Sequence, residues 1–588
     1  MALDPLPSSL VLKDEPIENH RRLKICVIGA GYSGIYLGIR VSQRLRNVDL
    51  RIYEKNEGVG GTWWVNRYPG CACDIPSSSY QYSFDPNPCW SSFYASQPEI
   101  QAYLQNVAHK YGVMRFVRLE HEVENCNWNA KTMKWYLKIR SHQSGELIDD
   151  EADVLIAATG YFSVPSWPDV PGLGTFSGQI MHSASWNEGF NFKNKRIGVI
   201  GNGSSAIQIV PVLQKIDGAK LSCFVRSKTW ITSPFGDNIM HKLGLDPQTL
   251  EFSNRQREEF ANSPEKLYAF RKAIEQDGNT VHAVSMRGHD MQRTVSERTR
   301  AAMRKHLASR PDIAEFLIPS FAVGCKRITP GLGYLEALTQ PNVDFLTEHI
   351  IEVNSHSVLL QSGRQVDLDC LVCATGFSTS GVPPFSIQGR NGISLDTRFK
   401  PHPEAYLSLA VDGFPNFFMM GGPNSAVGTG SFTMILETQG DYVVKCIRKL
   451  QKEDYASMEI KQQRVSDWAE YCSSYFKTTV YTDHCKSWYK SEGGKGDRVT
   501  GLWPGSTLHA LEALRAPRWE DYDWESASSE ANKLRWLGNG WSITHTKCND
   551  QGGYGGDPAW YLENEFQHVP MPGKPEEDLT YKKRPFSH

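Results

Sequence analysis

Short apolar runs that lead into glycine-rich loops recur along the chain. Residues 23–28 (L-K-I-C-V-I) form one such run and lead into G-A-G-Y-S-G, which begins at Gly29. A nearly continuous apolar run of this length is typical of a strand buried in a parallel sheet. The apolar-periodic stretch at 35–41 predicts a helix. Together these residues predict a strand, a G-x-G-x-x-G loop and a helix, in that order.

The three glycines of this loop have different physical roles. Gly29 permits a tight turn, Gly31 lets a pyrophosphate approach the backbone, and Gly34 lets the helix pack closely on the strand. The free N–H groups and the dipole at the helix N-terminus favour an anion there. The loop therefore predicts a dinucleotide site.

The same pattern returns further along the chain. Residues 196–200 predict a strand that leads into G-N-G-S-S-A, with Gly201, Gly203 and Ser204, and 207–213 predict the helix that follows. Two other apolar runs, D-V-L-I-A-A-T-G and D-C-L-V-C-A-T-G, end in the same A-T-G and predict strands where the chain crosses between two nucleotide-binding units. The pattern predicts an α/β fold with two Rossmann-like dinucleotide-binding domains.

The residues that follow the second strand of each unit differ in charge. In the first unit this residue is Glu54, at about the 20-residue spacing expected for an acid that holds a ribose hydroxyl. A carboxylate there would repel a 2′-phosphate, so this unit is expected to hold FAD or NAD. In the second unit the residue is Arg226, followed by Ser227. A cation at this position favours a 2′-phosphate and hence NADP.

An aromatic segment follows the first unit's acid. Residues 60–74 (G-G-T-W-W-V-N-R-Y-P-G-C-A-C-D) are too rich in Gly, Trp and Pro for regular structure and too apolar for a solvated loop. We expect Thr62, Trp63 and the nearby Tyr80 to contact a flat conjugated ring. Asp74 ends the segment and needs a partner, for which an arginine is the natural choice.

A second segment lies between the two glycine-rich loops. Residues 176–186 (F-S-G-Q-I-M-H-S-A-S-W) contain His182 and Trp186, which a plain linker would not need. A segment that joins two nucleotide-binding units is well placed to couple events at both.

Residues 230–319 are polar and helical in pattern, and this predicts an insertion that could form part of a substrate wall. The chain then returns to apolar sequence that supplies Lys326 and Arg327. The predicted division is 1–160 for the first part of the FAD-binding domain, 161–229 for the first part of the NADP-binding domain, 230–320 for the helical insertion, 321–375 for the second part of the NADP-binding domain, 376–514 for the second part of the FAD-binding domain, and 515–588 for a C-terminal extension.

Composition excludes several classes of protein. With 588 residues, 40% hydrophobic, 22% charged and a net charge of −2, the chain is typical of a globular protein with no electrostatic preference for nucleic acid. No run approaches the roughly 18 apolar residues of a membrane-spanning helix, and the first residues do not form a signal peptide. We expect a cytoplasmic protein with no obligate protein partner.

The 13 cysteines are scattered, which is expected of a reducing compartment rather than a disulfide framework. Cys370 and Cys373 form a C-x-x-C, but residues three apart in a strand point to opposite faces, which favours a core role over a redox pair. Cys71 and Cys73 lack further ligands nearby, so no metal site is predicted.

These motifs together resemble the class I Baeyer–Villiger monooxygenases. The likeness rests on the two dinucleotide loops, G-G-T-W…R-Y-P-G…D, both A-T-G strands and F-x-G-x-x-x-H-x-x-x-W, and it spans roughly 24–514. The C-terminal extension and the general character of the sequence are similar to those of fungal biosynthetic members of the family. One departure is Asn187, where the family usually has Pro or Asp.

The resemblance implies an enzyme that uses FAD, NADPH and O2 to insert one oxygen atom beside a ketone carbonyl, giving an ester or lactone. Arg327 matches the family's active-site arginine and Asp74 its carboxylate partner. His182 and Trp186 match a hinge that responds to the position of the nicotinamide cofactor. The residues that match cofactor contacts, or lie among them, are Gly29, Gly31, Gly34, Glu54, Thr62, Trp63, Asp74, Tyr80, Gly201, Gly203, Ser204, Arg226, Ser227, Lys326, Arg327 and Trp488.

Three alternative functions can be distinguished from oxygen insertion beside a ketone by features of the sequence. A flavin monooxygenase that oxygenates nitrogen or sulfur usually carries Tyr or Phe where this chain has Trp186, although Asn187 keeps this alternative open. A pyridine-nucleotide disulfide reductase would need a reactive dithiol beside the flavin, and no suitably spaced pair occurs. A non-catalytic binding protein would not need every charged site residue.

Overall fold

Two five-stranded parallel sheets carry the two glycine-rich loops in the computed structural model, which describes residues 12–543 except 19, 235, 247, 248, 380 and 531, together with 559 and 562. The strands are β1 (Leu23–Ile28), β2 (Val48–Tyr53), β3 (Val117–Arg118), β4 (His121–Asn129), β5 (Lys134–Ser141), β6 (Leu147–Ala152), β7 (Val154–Ala157), β8 (Gln179–His182), β9 (Arg196–Ile200), β10 (Lys220–Phe224), β11 (Ile231–Thr232), β12 (Thr329–Pro330), β13 (Val343–Leu346), β14 (Ile350–Val353), β15 (Ser357–Leu360), β16 (Gln365–Asp367), β17 (Cys370–Cys373), β18 (Ser386–Gln388), β19 (Phe417–Met419), β20 (Tyr455–Ile460) and β21 (Tyr522–Ser526).

The α-helices are α1 (Tyr32–Arg44), α2 (Thr62–Val65), α3 (Gln97–Lys110), α4 (Ser204–Gln214), α5 (Asp237–Leu243), α6 (Asn254–Asn262), α7 (Pro264–Thr280), α8 (Asp290–His306), α9 (Pro311–Leu317), α10 (Tyr334–Leu338), α11 (Leu395–Arg398), α12 (Phe432–Lys452), α13 (Gln462–Phe476), α14 (Ser491–Gly494) and α15 (Thr507–Ala513). No helix in the described part of the chain is both long and apolar enough to span a bilayer.

The first sheet has the strand order β19-β7-β1-β2-β3, with all neighbours parallel. Its central strand β1 is apolar and almost completely buried, as the run at 23–28 predicts. Because the strands are parallel, their carboxyl ends meet at one edge, where Gly29 follows β1 and Glu54 follows β2. Strand β19 brings the chain back to this sheet long after it has left.

A mixed sheet in the order β18-β4-β5-β6 contributes to the same core. Its Trp128 and Trp135 belong to one buried cluster with Leu155 of β7 and Phe417 of β19. The indole N–H of Trp135 donates to the carbonyl of Pro415 at 2.9 Å. Aromatic side chains thus cover one face of the first sheet and fix its outer strand.

The second sheet has the order β13-β10-β9-β17-β8, again with all neighbours parallel. Gly201 follows its central strand β9, and Arg226 lies two residues beyond the end of β10. Helices α5 to α9 lie in the chain between β11 and β12, where the polar helical pattern predicts an insertion. The predicted α/β class and the helical insertion are therefore confirmed.

The described chain divides into two compact units. The larger comprises Arg22–Arg448 and Ala456–Glu525 and contains both parallel sheets. The smaller comprises Lys449–Tyr455 and the described residues of Met1–Arg21 and Ser526–His588.

Within the smaller unit the aromatic tail segment pairs with the beginning of the chain. The N–H of Ile17 donates to the carbonyl of Trp541 at 2.7 Å, and the N–H of Asn539 donates to the carbonyl of Glu15 at 2.9 Å. Of the predicted C-terminal extension, residues 531, 544–558, 560–561 and 563–588 lie outside the described residues.

Candidate active site

The first glycine of each loop lies against a backbone carbonyl of an A-T-G motif. Gly29 has φ +107°, and a Cβ there would lie 2.6 Å from the carbonyl oxygen of Ala158. Gly201 has φ +122°, and its Cβ would lie 2.5 Å from the carbonyl oxygen of Ala374. Only glycine fits both the space and the backbone angle. The repeated A-T-G motif thus has one packing role in two units.

The first loop has the form that a dinucleotide phosphate requires. A Cβ at Gly34 would lie 1.9 Å from the carbonyl oxygen of Gly29, so helix α1 lies very close to the strand end. No side chain caps the N-terminus of this helix at Gly31, which leaves its first N–H groups for an anion. The buried Glu54 accepts a hydrogen bond from the N–H of Ala30 at 2.8 Å. The residues present therefore fit a flavin dinucleotide.

The aromatic segment lies directly against this loop. The N–H of Gly60 donates to the carbonyl of Ala30 at 3.0 Å. Thr62 is exposed at the start of α2, and the next residue, Trp63, is buried and donates its indole N–H to the hydroxyl of Tyr80 at 3.1 Å. The rings of Tyr80 and Tyr32 lie 5.2 Å apart, edge to face. The aromatic segment thus lies beside the glycine loop.

Arg327 and Asp74 form a bidentate ion pair. The guanidinium Nε donates to Asp74 Oδ2 at 2.9 Å, and Nη2 donates to Oδ1 at 2.6 Å. The side chains keep 30% and 22% of their surface accessible, so a bound molecule can still reach the guanidinium. This contact joins the end of the aromatic segment to the segment that contains Lys326.

Electrostatics keep this guanidinium charged. Burial alone would lower the pKa of Arg327, but the charge and hydrogen bonds of Asp74, with Tyr489, raise the pKa above its usual value. Burial also raises the pKa of Tyr489 to about 12, although the Arg327 charge opposes this shift. The site therefore holds a permanent cation beside a neutral phenol.

The second loop is tied to its surroundings by hydroxyl contacts. Ser204, the first residue of α4, lies 2.9 Å from Thr329, oxygen to oxygen. Ser227 donates its hydroxyl to the side-chain oxygen of Asn202 at 3.2 Å. A Cβ at Gly203 would meet nothing within 4 Å, so the loop is open on that side. These residues fit the phosphates of a second dinucleotide.

Two cations lie near this loop. Arg226 is exposed, and Lys326 donates its ammonium to the carbonyl of Lys228 at 2.9 Å. Burial, and then the charge of Lys486, lower the pKa of Lys326 to about 8. A lysine in this state gains its full charge when an anion binds beside it.

His182 ends strand β8 and is completely buried. Its Nδ1 accepts the N–H of Ala184 at 3.1 Å, and its ring packs 5.2 Å from Trp167 and 5.7 Å from Phe377. Burial lowers the pKa of His182, although hydrogen bonds with the backbone of Gly376 and Ser166 oppose the shift. The side chain is a neutral element of the core rather than an exposed base.

Trp186, the last residue of the segment between the loops, contacts the aromatic segment. Its ring lies 6.5 Å from Tyr68 of the aromatic segment and stacks on Phe192 at 5.7 Å. The following Asn187 is exposed and accepts the N–H of Gly189 at 3.1 Å through its side chain. Asn187 therefore forms a local turn, which is a role that asparagine performs well.

Trp488 lies in an aromatic group that includes Tyr489, which contacts Arg327. Its ring centroid is 5.7 Å from Tyr161, 5.5 Å from Phe162 and 4.7 Å from Tyr489. Phe162 also lies 5.4 Å from Phe377, the ring that packs on His182. The structure thus connects Trp488 to the segment between the loops through neighbouring rings.

Two residues of the site were missed by sequence reasoning. Gln208 of α4 accepts the Tyr68 hydroxyl at 2.9 Å and donates to the carbonyl of Ala72 at 3.0 Å, so it ties the aromatic segment to the second glycine helix. Tyr489 contacts Arg327. Gln208 is a single polar residue between Ile207 and Ile209, and Tyr489 is one of two adjacent aromatic residues, so no motif marked either position.

The cysteine expectation was partly wrong. Cys370 and Cys373 are free and buried in β17, as predicted. Cys325 and Cys485, however, form a disulfide across 160 residues. Such a pairing is set by the fold and cannot be read from spacing. Among the described residues, no group of three or more His, Cys, Asp or Glu side chains is arranged to hold a metal ion.

Comparison with known proteins identifies the family. The sequence model of the flavin-binding monooxygenase-like family matches residues 22–243. An FAD-binding monooxygenase of Aspergillus terreus is 39% identical over 545 residues, and the alignment covers 92% of this chain and 95% of that protein. A Baeyer–Villiger monooxygenase of Streptomyces coelicolor is 32% identical over 500 residues, covering 84% and 91%. The chain belongs to the flavin monooxygenases of the Baeyer–Villiger type.

The fold of this monooxygenase also matches a solved structure. The oxidized steroid monooxygenase bound to NADP shares 27% of its residues with this chain and superposes with a TM-score of 0.71. The match covers 86% of this monooxygenase and 99% of the other. The family, the enzyme class and the fold with two dinucleotide-binding domains are therefore confirmed.

Proposed function

We propose that this monooxygenase uses FAD and NADPH to insert one atom of O2 beside the carbonyl of a ketone, giving an ester or lactone. The single observation that carries the proposal is the bidentate contact of Arg327 with Asp74, at 2.9 and 2.6 Å. Asp74 ends the aromatic segment, which lies against the first dinucleotide loop. Bound FAD supplies the redox chemistry that activates O2 with electrons from NADPH.

Arg327 has the property that oxygen insertion next to a ketone requires. Negative charge develops on the carbonyl oxygen when a nucleophilic oxygen attacks the ketone, and a fixed cation stabilises that charge in a site with little water. A guanidinium cannot lose its proton at working pH, whereas a buried lysine can. Asp74 holds the guanidinium plane in one orientation and raises its pKa.

The cofactor contacts divide between the two loops. Gly29, Gly31, Gly34 and Glu54 would hold the pyrophosphate and ribose of FAD, with Thr62, Trp63 and Tyr80 beside the flavin. Gly201, Gly203, Ser204 and Ser227 would hold NADPH, with Arg226 and Lys326 at its 2′-phosphate and Trp488 along its nicotinamide side. The opposite charges of Glu54 and Arg226 support this division.

His182 and Trp186 would act as the hinge between the two cofactors. The buried ring of His182 fixes one end of the segment, and Trp186 rests on Tyr68 of the flavin side. A change in the position of NADPH would therefore move the segment against the flavin side. The substrate we propose is a ketone of secondary metabolism. The sequence resembles fungal biosynthetic members of the family, and a fungal FAD-binding monooxygenase is 39% identical to this chain.

Product analysis tests the proposal. FAD-loaded protein is incubated with O2 and either NADPH or NADH, in the presence of cyclic and aryl ketones, amines and sulfides. We expect NADPH-dependent formation of esters or lactones from ketones. Formation of N-oxides or sulfoxides with no ester would favour the nitrogen- or sulfur-oxygenating alternative, and equal use of NADH would contradict the assignment of Arg226.

A further inference from the structure

Two lysines lie side by side because a disulfide joins the residues that precede them. Cys325 and Cys485 are bonded with their Cα atoms 6.4 Å apart. Lys326 follows the first cysteine and Lys486 follows the second. The bond therefore brings a charge from a late segment of the chain to the segment that contains Arg327.

The two lysines join Arg226 in a cluster of like charge. The ammonium of Lys326 donates to the carbonyl of Lys228, close to Arg226 in the chain. The charge of Lys486 acts on Lys326, and the charge of Arg226 acts on Lys486. In the part of the chain that the structure describes, none of these three cations has an ion-pair partner. Like charges held together without a carboxylate favour a multivalent anion.

We propose that Lys486 is a third cationic contact of the 2′-phosphate of NADP(H), and that the Cys325–Cys485 disulfide holds it beside Lys326 and Arg226. The inference rests on the NADPH dependence proposed above. A 2′-phosphate carries close to two negative charges and three free oxygens, which three cations from three separate segments can contact together.

The role of the disulfide can be tested by reducing it. A dithiol such as dithiothreitol breaks the S–S bond by supplying two electrons and two protons, which yields two thiols and the cyclic disulfide of the reagent. Reduction removes the covalent link next to the exposed Lys486, and the two segments are then joined by the N–H of Ala322, which donates to Asp483 Oδ2 at 3.0 Å. The affinity for the 2′-phosphate should fall, while the rest of the nucleotide is still bound.

Calorimetric titration of the full-length, FAD-loaded, oxidised protein with NADP⁺ and NAD⁺ tests the inference without turnover. Lys486→Ala should weaken NADP⁺ binding about tenfold, as expected for one charge-assisted contact, and leave NAD⁺ binding unchanged. Lys486→Arg should keep most of the affinity. Lys477→Ala removes another exposed lysine and serves as the matched control, with no change expected.

The disulfide is tested with Cys485→Ser and with dithiothreitol. Both should weaken NADP⁺ binding in the same direction as Lys486→Ala, and the reagent should have no further effect on Cys485→Ser. Wild-type affinity in Lys486→Ala, or an equal loss for NAD⁺, would overturn the role of Lys486. Wild-type affinity in Cys485→Ser would overturn the role of the disulfide. If the wild type itself did not prefer NADP⁺, the proposed cofactor and this inference would fall together.

Discussion

The guanidinium of Arg327 and the carboxylate of Asp74 meet in a two-point ion pair although 253 residues separate them in the chain. The pair joins the aromatic segment beside the first loop to the loop that precedes β12. Arg327 thereby links the segment that follows the helical insertion to the aromatic segment.

Replacement of Arg327 should separate oxygenation from cofactor binding. Arg327→Ala removes the fixed cation, so ketone turnover should fall by about 100-fold or more, as for the loss of one donor at a developing oxyanion. FAD content should stay normal because the arginine does not contact the first glycine loop. Product formation and bound-flavin absorbance measure the two effects. Arg255→Ala, at an arginine whose side chain is 88% exposed, is the control; normal turnover in Arg327→Ala would contradict the assignment.

Asp74→Asn should reduce kcat without loss of FAD. Asparagine keeps the shape but not the charge, so the guanidinium is held less firmly and we expect a loss of about tenfold in kcat. Steady-state kinetics with a reactive ketone measures kcat. Asp217→Asn removes a carboxylate from an exposed surface pair with Lys193 and should change nothing. Equal kinetics in the two variants would mean that Asp74 does not position Arg327.

Alanine substitutions at Gly34 and Gly203 compare a tightly packed glycine with one that faces open space. Gly34→Ala would place a Cβ 1.9 Å from the carbonyl oxygen of Gly29, so the variant should lose FAD and stability. Gly203→Ala meets nothing within 4 Å and should retain FAD and its melting temperature. Flavin content and thermal unfolding of both variants test the difference. A flavin-replete Gly34→Ala protein would show that α1 does not need to lie so close to the loop.

NADP⁺ affinity should depend on pH through Lys326. The pKa of this lysine is about 8 because burial, and then the charge of Lys486, lower it. A lysine is charged below its pKa, so the affinity should be greatest below pH 8 and should fall by up to about tenfold per pH unit above it. Titration with NADP⁺ between pH 7 and pH 9.5 measures the change, with NAD⁺ as the control ligand. Lys326→Arg should flatten the profile; an unchanged slope would exclude Lys326 as the titrating group.

Local pattern was enough to predict the parts of the fold that repeat. The strand predicted at 23–28 is β1, the run at 196–200 is β9, and each first glycine contacts its A-T-G strand. These features depend on residues close in sequence, whose period and turn chemistry are visible in the chain itself. The opposite charges after the second strands were visible for the same reason.

Contacts between distant segments could not be predicted in this way. The bridge from Gln208 to Tyr68, the contact of Tyr489 with Arg327 and the disulfide of Cys325 with Cys485 each join segments more than a hundred residues apart. No periodicity marks such residues, because their partners are chosen by the packing of whole domains. The pairing of the aromatic tail with the first described residues belongs to the same class.

Labelling with ¹⁸O2 tests the central claim most directly. FAD-loaded protein, NADPH and a ketone that it converts are incubated under ¹⁸O2, and the product is analysed by mass spectrometry. We expect an ester or lactone that carries one ¹⁸O atom from the wild type, and about 100-fold less of it from Arg327→Ala. NADPH consumption that yields only labelled hydrogen peroxide, or a product with no ¹⁸O, would contradict the claim.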